Sequence, residues 1–475
     1  MSEASANEIK NSAVNIGLNK TGTYALSTYD AQNWYKFTVT ESGYFQLYLG
    51  ANADTDTDEI GWGWKVSIYT ESDLSDEVYS FTTKASDTTP KFPLGKRTYY
   101  VKVEANYAVG SYAPTGCKYD IRADFTAASN WEAEENDSNL TAQSISLNTL
   151  YRGTLYTTND VDYYQFKLTK DGYFKLSFDV SEADIENVND GWTVSVYQKG
   201  STDAIRTYKL KASETEPVLP YKAGTYYVSV KATYAASGTS PVNEVYGLKV
   251  IFKESTTWEK EGNDTSSTAT ALKLNTAYKG ITTTSTDVDW YSFKLSAKSV
   301  VKLSFSKDEN NDIESIQNGW NVGIYNKADN KCVVSKEGIT SGSNLSATLA
   351  KGTYYVKVTP NYYYAAPTDC IYNLKVSYAA TPAKPVSVKA AAGKASVKTS
   401  WEKASKATGY VVYRSSSKNG KYTRIATLKD AEKISYTDKK AKSGTTYYYK
   451  VKAYNNANGV TAYSSYSAVV SAKAK

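Results

Sequence analysis

The sequence predicts an all-β chain of tandem antiparallel β-sandwiches, three jelly-roll-like and one immunoglobulin-like. Three observations carry that expectation. The 475 residues include 44 tyrosines, one methionine and no histidine, and runs of Tyr, Val, Thr and Ser broken by short turns suit pleated, half-buried strands. The chain is too long for one hydrophobic core. One strand-rich pattern is written three times before a different pattern takes over.

The repeats align on a glycine–tryptophan strand: "GWKVSIY", "GWTVSVY" and "GWNVGIY", with Trp64, Trp192 and Trp320 each 128 residues from the next. The aromatic strands "NWYKFTV", "DYYQFKL" and "DWYSFKL" agree. So do "RTYYVKVEANY", "GTYYVSVKATY" and "GTYYVKVTPNY". Each unit closes on Tyr-x-Ile/Leu: Tyr119 and Ile121, Tyr246 and Leu248, Tyr372 and Leu374. In "TYYVSV", Tyr226, Val228 and Val230 fall on one face and Tyr227, Ser229 and Lys231 on the other, the period of a strand. A repeat of this length is a domain and not a solenoid unit. The expected domains are residues 1–128, 129–255 and 256–379, with a last domain over 384–475 after the Pro-containing "YAATPAKPVS".

Residues 381–475 carry 19 Lys+Arg against 4 Asp+Glu, so a basic tail of +15 follows a body of −9. Within the tail, "SVKTSWEKASKATGYVVYRS" and "GTTYYYKVKAY" resemble a fibronectin type III domain. Trp401 lies on an early strand, Tyr410 to Tyr413 on the next, and Tyr447-x-Tyr449-x-Val451 matches the late strand with Tyr447 at the tyrosine corner. Such domains are frequent spacers, so the resemblance speaks to fold and not to function.

Without histidine there is no Ser-His-Asp or Cys-His arrangement and no His-ligated zinc. Three cysteines, Cys117, Cys332 and Cys370, are too few for a disulfide framework. Cys332 and Cys370 share a repeat and are either paired or inert thiols. No apolar run is long enough to span a bilayer, and "MSEASANEIK" shows neither basic segment nor apolar core of a signal peptide. The tail shows no basic stripe interleaved with aromatics and no nucleic-acid motif, so nucleic acid is not an expected partner; anionic polymers such as cell-wall polyphosphates are one alternative to lysines that serve solubility alone.

The chemistry sits in "WEAEENDSNLTAQ", repeated 127 residues later as "WEKEGNDTSSTAT". A solvated linker is one reading; a cage for a hard cation is the other. Calcium takes six to eight oxygens, preferring carboxylates with amide and main-chain carbonyls. Glu132, Glu134 and Asn136 face one way in an extended segment, and Asp137 adds a fourth side chain. The next strand adds Asp160 and Asp162. Their counterparts are Glu259, Glu261, Asn263, Asp264, Asp287 and Asp289. Carboxylates this close repel unless a cation lies between them. Repeat one is an internal control: it keeps Glu3, Asn7 and Glu8 but has Ser5, Ala31 and Asn33 where acidic residues are expected. Loss in both segments together suits two segments that share one ion.

Glu-x-Glu-x-Asn-Asp, then Asp-x-Asp-aromatic-aromatic-x-Phe, then Gly-Thr-Tyr-Tyr-Val-x-Val resembles the bacterial pre-peptidase C-terminal domain, a family that includes the collagen-binding domains of clostridial collagenases. The resemblance implies a jelly-roll sandwich, secretion, and Ca2+ held between the leading segment and the Asp-bearing strand by the twelve residues just named. It covers repeats two and three well and repeat one in fold only.

The acidic loops before each Gly-Trp strand, "NADTDTDEIG", "SEADIENVNDG" and "KDENNDIESIQNG", do not repeat position by position and read as solvated. The three recurring tryptophans read as core, whereas Trp62 has no counterpart and is a candidate for exposure. Tyr107, Tyr112, Tyr234, Tyr362, Tyr363 and Tyr364 cluster after the Tyr-Tyr-Val strands. They either cover a sheet end or present flat faces to sugar rings or collagen-like chains. The reading is therefore a secreted, monomeric, non-catalytic protein that binds an extracellular polymer, polysaccharide or collagen-like, without membrane insertion. The alternative is an accessory region of a secreted protease or glycoside hydrolase. An enzyme working through paired carboxylates comes last, because the acidic residues have ligand-like spacing.

Overall fold

Tyr-Tyr-Val strands occupy the centre of the first sheet in each repeat because both of their faces can be buried. The computed structural model describes residues 6–70, 74, 77–106, 113–183, 188, 190–233, 241–311, 316–361 and 366–475. The chain divides into two compact units, Met1–Pro217 with Lys222–Glu254, and Val218–Tyr221 with Ser255–Lys475.

In the first unit, repeat one forms one sheet in the order Val14–Asn15, Gln32–Thr38, Thr98–Ala105, Trp64–Thr70, Glu77–Thr83. The second sheet runs Thr21–Ala25, Lys118–Ala127, Gly43–Ala51, Ser86–Thr88. Repeat two uses the same order: Gln143–Ser144, Val161–Leu168, Gly224–Ala232, Trp192–Gln198, Ala204–Leu210 face Leu150–Gly153, Tyr246–Glu254, Gly172–Asp179, Glu214–Thr215. In the second unit, repeat three follows suit, with Asp289–Leu295 and Gly352–Pro360 central in one sheet and Cys370–Ala380 and Ser299–Lys307 central in the other. The last domain pairs the sheet Lys389–Gly393, Ser396–Ser400, Ser435–Asp438 with the sheet Thr423–Leu428, Gly409–Ser415, Thr446–Ala457, Val460–Tyr463. All four are β-sandwiches.

The cores hold the alternating apolar residues of both sheets. Trp64, Trp192 and Trp320 are fully buried; Trp192 meets Phe178 at 5.4 Å and Trp320 meets Phe305 at 5.6 Å between ring centroids. Burying each such ring is favourable by a few kcal/mol, on the order of 25 cal/mol per Å² of apolar surface. Trp62 is half exposed, as its lack of a counterpart suggested. In the last domain the amide of Lys442 donates to Tyr447 Oη, which is the corner expected at that position.

Three features depart from or resolve the sequence reading. Among the described residues each repeat carries a short parallel strand pair beside its antiparallel ones: Val14–Asn15 beside Tyr35–Lys36, Gln143–Ser144 beside Tyr164–Gln165, and Thr270–Ala271 beside Tyr291–Ser292. The acidic loop of repeat three is not wholly solvated, because Asp308 is buried and accepts from Lys279 Nζ at 2.6 Å and from Asn310. Cys332 and Cys370 are not bonded; they stand in different sheets, and the Cys370 thiol donates to the Thr368 carbonyl at 3.2 Å.

Candidate metal centres

The leading acidic segment is stitched to both sheets of its repeat. Trp131 bridges Arg152 in one sheet, and the Glu132 amide donates to the Arg152 carbonyl at 2.8 Å. Beyond Asn136 the chain runs into Gln143–Ser144, the parallel pair on the Asp-bearing strand of the other sheet, and the Tyr163 amide donates to the Asn136 carbonyl at 2.8 Å. Repeat three repeats this stitching: Trp258 bridges Lys279, Glu259 N donates to Lys279 O at 2.9 Å, and Trp290 N to Asn263 O at 2.9 Å. The parallel pair is thus what brings Glu-x-Glu-x-Asn against Asp-x-Asp.

Carboxylate oxygens of Glu132, Glu134 and Asp162 lie within 4.8 Å of one another in repeat two, as do those of Glu261, Asp287 and Asp289 in repeat three. Glu132, Asn136, Asp162, Asn263 and Asp289 are fully buried, and Glu259, Glu261 and Asp287 nearly so. Asp137 and Asp264 are exposed at the rim. Asp160 turns one oxygen onto the Tyr156 amide at 2.6 Å, as Asp287 does onto Thr283 N at 2.6 Å. A cavity of about 360 Å³ lined by Glu134, Asp137, Asp160, Arg97 and Tyr156 opens over the repeat-two group.

Beneath the carboxylates lies a pair of tyrosine hydroxyls in each repeat. Tyr164 and Tyr246 Oη are 2.6 Å apart; Tyr164 donates to Glu132 Oε2 at 2.8 Å and Tyr246 to Asp162 Oδ2 at 2.5 Å. Tyr291 and Tyr372 repeat the arrangement, with Tyr291 donating to Glu259 at 2.8 Å and Tyr372 to Asp289 at 2.6 Å. The remaining lone pairs of Glu132 and Glu259 accept from the amides of Thr154 and Ile281.

After these bonds are counted, Glu134 Oε1, Asn136 Oδ1, Asp162 Oδ1, Glu261 Oε1, Asn263 Oδ1 and Asp289 Oδ1 remain buried with no hydrogen-bond partner. Buried acceptors are almost always satisfied, and leaving one bare costs about 1–3 kcal/mol or more when charged. Burial pushes Glu132 up to about 8, Glu259 to about 7 and Asp160 to about 6. Burial, and then repulsion from neighbouring carboxylates, holds Glu134, Asp162, Glu261 and Asp289 well above the usual carboxylate range. Oxygen-only donors with unused lone pairs, no nitrogen or sulfur, and several carboxylates fit calcium and do not fit zinc.

Sequence reasoning missed two parts of these centres. The tyrosine hydroxyls belong to strands noted only as repeat anchors. Gly153 and Gly280 make room for the groups: a Cβ on Gly153 would lie 2.2 Å from Glu132 Oε2, and one on Gly280 would lie 2.4 Å from Tyr291 Oη. Gly153 pairs with Tyr246 and Gly280 with Tyr372. The residue that pairs with Tyr119 in repeat one is Tyr24, whose ring packs on Tyr35 at 4.8 Å. The signal was legible: each of these residues stands nine positions before Asp162, Asp289 or Asn33.

In repeat one, Asn33 Nδ2 donates to Ala25 O at 3.0 Å and to Tyr119 Oη at 2.8 Å. Glu3, Ser5 and the six loop tyrosines Tyr107, Tyr112, Tyr234, Tyr362, Tyr363 and Tyr364 lie outside the described residues.

No protein-family model and no curated protein matches the chain. Among solved structures, an Fn3-like protein from Clostridium thermocellum is 33% identical over 19% of this chain and 91% of its own, with a TM-score of 0.16. The pre-peptidase C-terminal domain of collagenase from Bacillus anthracis is 22% identical over 23% of this chain and 93% of its own, with a TM-score of 0.19. A two-domain fibronectin type III segment of chicken tenascin is 13% identical over 40% of this chain and 98% of its own, at 0.19. Scores of this size leave the fold to be read from the sheets themselves.

Proposed function

We propose that the chain is a secreted, non-catalytic binding protein whose second and third repeats each hold Ca2+ and whose sandwiches target an extracellular polymer, polysaccharide foremost. The observation that supports the metal is the set of buried, unpartnered oxygens of Glu134, Asn136 and Asp162 and of Glu261, Asn263 and Asp289, beside carboxylates of Glu132, Glu134 and Asp162 and of Glu261, Asp287 and Asp289 that lie within 4.8 Å of one another. Calcium there satisfies those oxygens, neutralises the mutual repulsion, and ties the start of each repeat to its own sheet. Several rigid modules in one chain supply avidity from weak individual sites. Among the described residues no helix is long and apolar enough to cross a membrane.

Two measurements test this reading. Isothermal titration of the chelated protein with calcium should give two sites; a featureless titration rejects the metal. Pull-down on starch, cellulose, mucin and collagen should retain the chain on at least one polymer; passage through all four rejects the binding role and leaves the alternative, a spacer region of a secreted hydrolase.

A further inference from the structure

The sheet Thr423–Leu428, Gly409–Ser415, Thr446–Ala457, Val460–Tyr463 of the last domain has an inner and an outer face of different chemistry. Tyr447, Tyr449, Val451 and Ala453 point into the core with Tyr410 and Val412. By alternation, Tyr448, Lys450, Lys452 and Tyr454 point outward, and the register places Tyr413 opposite Lys450 and Tyr463 opposite Tyr454 on that same outer face.

These side chains interlock. Lys450 Nζ sits 4.1 Å from the centroid of the Tyr422 ring and 3.8 Å from that of Tyr466, and Lys452 Nζ sits 4.2 Å from Tyr466. Tyr413 meets Tyr466 edge-on at 5.3 Å. The Lys450 ammonium therefore sits between two rings and that of Lys452 against one, which reduces the ordering cost of binding. Tyr463 is 51% and Tyr466 39% exposed. No carboxylate stands at these outward positions. Of the domain's four acidic residues, Asp438 is buried against Arg414 and Tyr449, and Glu432 pairs with Lys403. On the neighbouring strand, Val460 and Ala462 pack against Ala379, while Tyr463 beside them stays open.

We propose that this outer face binds an anionic polysaccharide, with sugar rings against Tyr422, Tyr463 and Tyr466 and carboxylate or sulfate groups on Lys450 and Lys452. Charge complementarity selects a polyanion: the domain carries +15 and the face presents cations alone. The geometry favours a glycan over single-stranded nucleic acid. Tyr413 and Tyr466 are inclined at 83° and offer no row of parallel platforms for successive bases. The cations of the face are Lys450 and Lys452 with Arg424, which stands opposite Tyr413 on the neighbouring strand, while the guanidinium of Arg414 is engaged by Asp438 and Tyr447. The proposal rests on the polymer-binding half of the function proposed above and needs neither metal centre.

The test is affinity electrophoresis of the full chain, in EDTA, through gels containing polygalacturonate, dextran sulfate or neutral amylose. The chain should be retarded by polygalacturonate or dextran sulfate and not by amylose, and added salt should weaken the effect. Tyr466→Ala and Lys450→Gln should each weaken binding roughly three- to tenfold, with Lys384→Gln, ahead of the domain's first strand, as the unchanged control. Circular dichroism checks that the variants are folded, and Lys450→Gln, which removes a charge at nearly constant volume, decides if Tyr466→Ala is not. Absence of retardation by both polyanions, equal retardation of Lys450→Gln and the parent, or tighter binding to an oligothymidylate than to either glycan overturns the proposal. Binding that appears only with calcium also overturns it, while leaving the metal-dependent reading intact.

Discussion

Asn33 Nδ2 donates to Tyr119 Oη at 2.8 Å at the place where, in the second repeat, Asp162 Oδ2 accepts from Tyr246 Oη at 2.5 Å. The same pair of tyrosines is present, and the polarity of the bond to it is reversed. An amide donor in repeat one does locally what carboxylates and a cation would do together, and Tyr24 fills the space that Gly153 and Gly280 leave open elsewhere. In repeat one the Asn33 amide and the hydroxyls of Tyr35 and Tyr119 bond to one another with no charged group among them.

Removing calcium should therefore loosen repeats two and three. A ligand bound only by the folded form stabilises it by mass action, about 4 kcal/mol when present about a thousandfold above its Kd. Scanning calorimetry of the full chain with calcium and with EDTA should show a higher midpoint with calcium. Asp162→Asn with Asp289→Asn should abolish the difference; a calcium response that survives the double variant places the ion elsewhere.

The chelated protein should lose stability as pH rises. Glu132 in the fold titrates near 8 against an ordinary 4.5, and Glu259 near 7. Between those values the folded state retains protons that the unfolded chain has released, so the stability decreases with pH through that window. Urea midpoints in EDTA should fall from about pH 5 to about pH 8, and saturating calcium, which takes the place of those protons, should remove or invert the trend. A chelated midpoint that climbs over the same range contradicts the buried-carboxylate picture.

Asn33→Asp should destabilise repeat one by roughly 1–3 kcal/mol, because the Ala25 carbonyl and the Tyr119 hydroxyl lose their amide donor and a carboxylate is buried in its stead. Calcium should not recover the loss, since Tyr24 still occupies the space beside Tyr35. Urea unfolding with and without calcium reads both effects, and rescue by calcium would show that repeat one retains a site.

Gly153→Ala should remove one calcium per chain, as counted by titration, and cost about 1–3 kcal/mol from overpacking. The new methyl would crowd Glu132 and the Tyr164 and Tyr246 hydroxyls. Gly280→Ala should do the same in repeat three, and two calcium ions retained in either variant would show that the glycines serve the backbone alone.

What the sequence determined by itself was periodic. Strands announce themselves through alternation within a few residues, and the repeats announce themselves through Trp64, Trp192 and Trp320 at constant spacing. Even the acidic motifs were legible, because losses at Ser5, Ala31 and Asn33 fall together. Only the tertiary structure decided which oxygens converge. Tyr164 and Tyr246 are 82 residues apart and meet at 2.6 Å across the sandwich, and Gly153 matters only because Glu132 is folded onto it. The outer face that carries Lys450 and Lys452 also escaped the sequence reading, which found no basic stripe interleaved with aromatics. Tyr422, Lys450 and Tyr466 come from three separate segments, and a side-chain pattern spread across neighbouring strands has no period along the chain. Local periodicity records which way each residue points; which distant residue it meets is set by strand order and register.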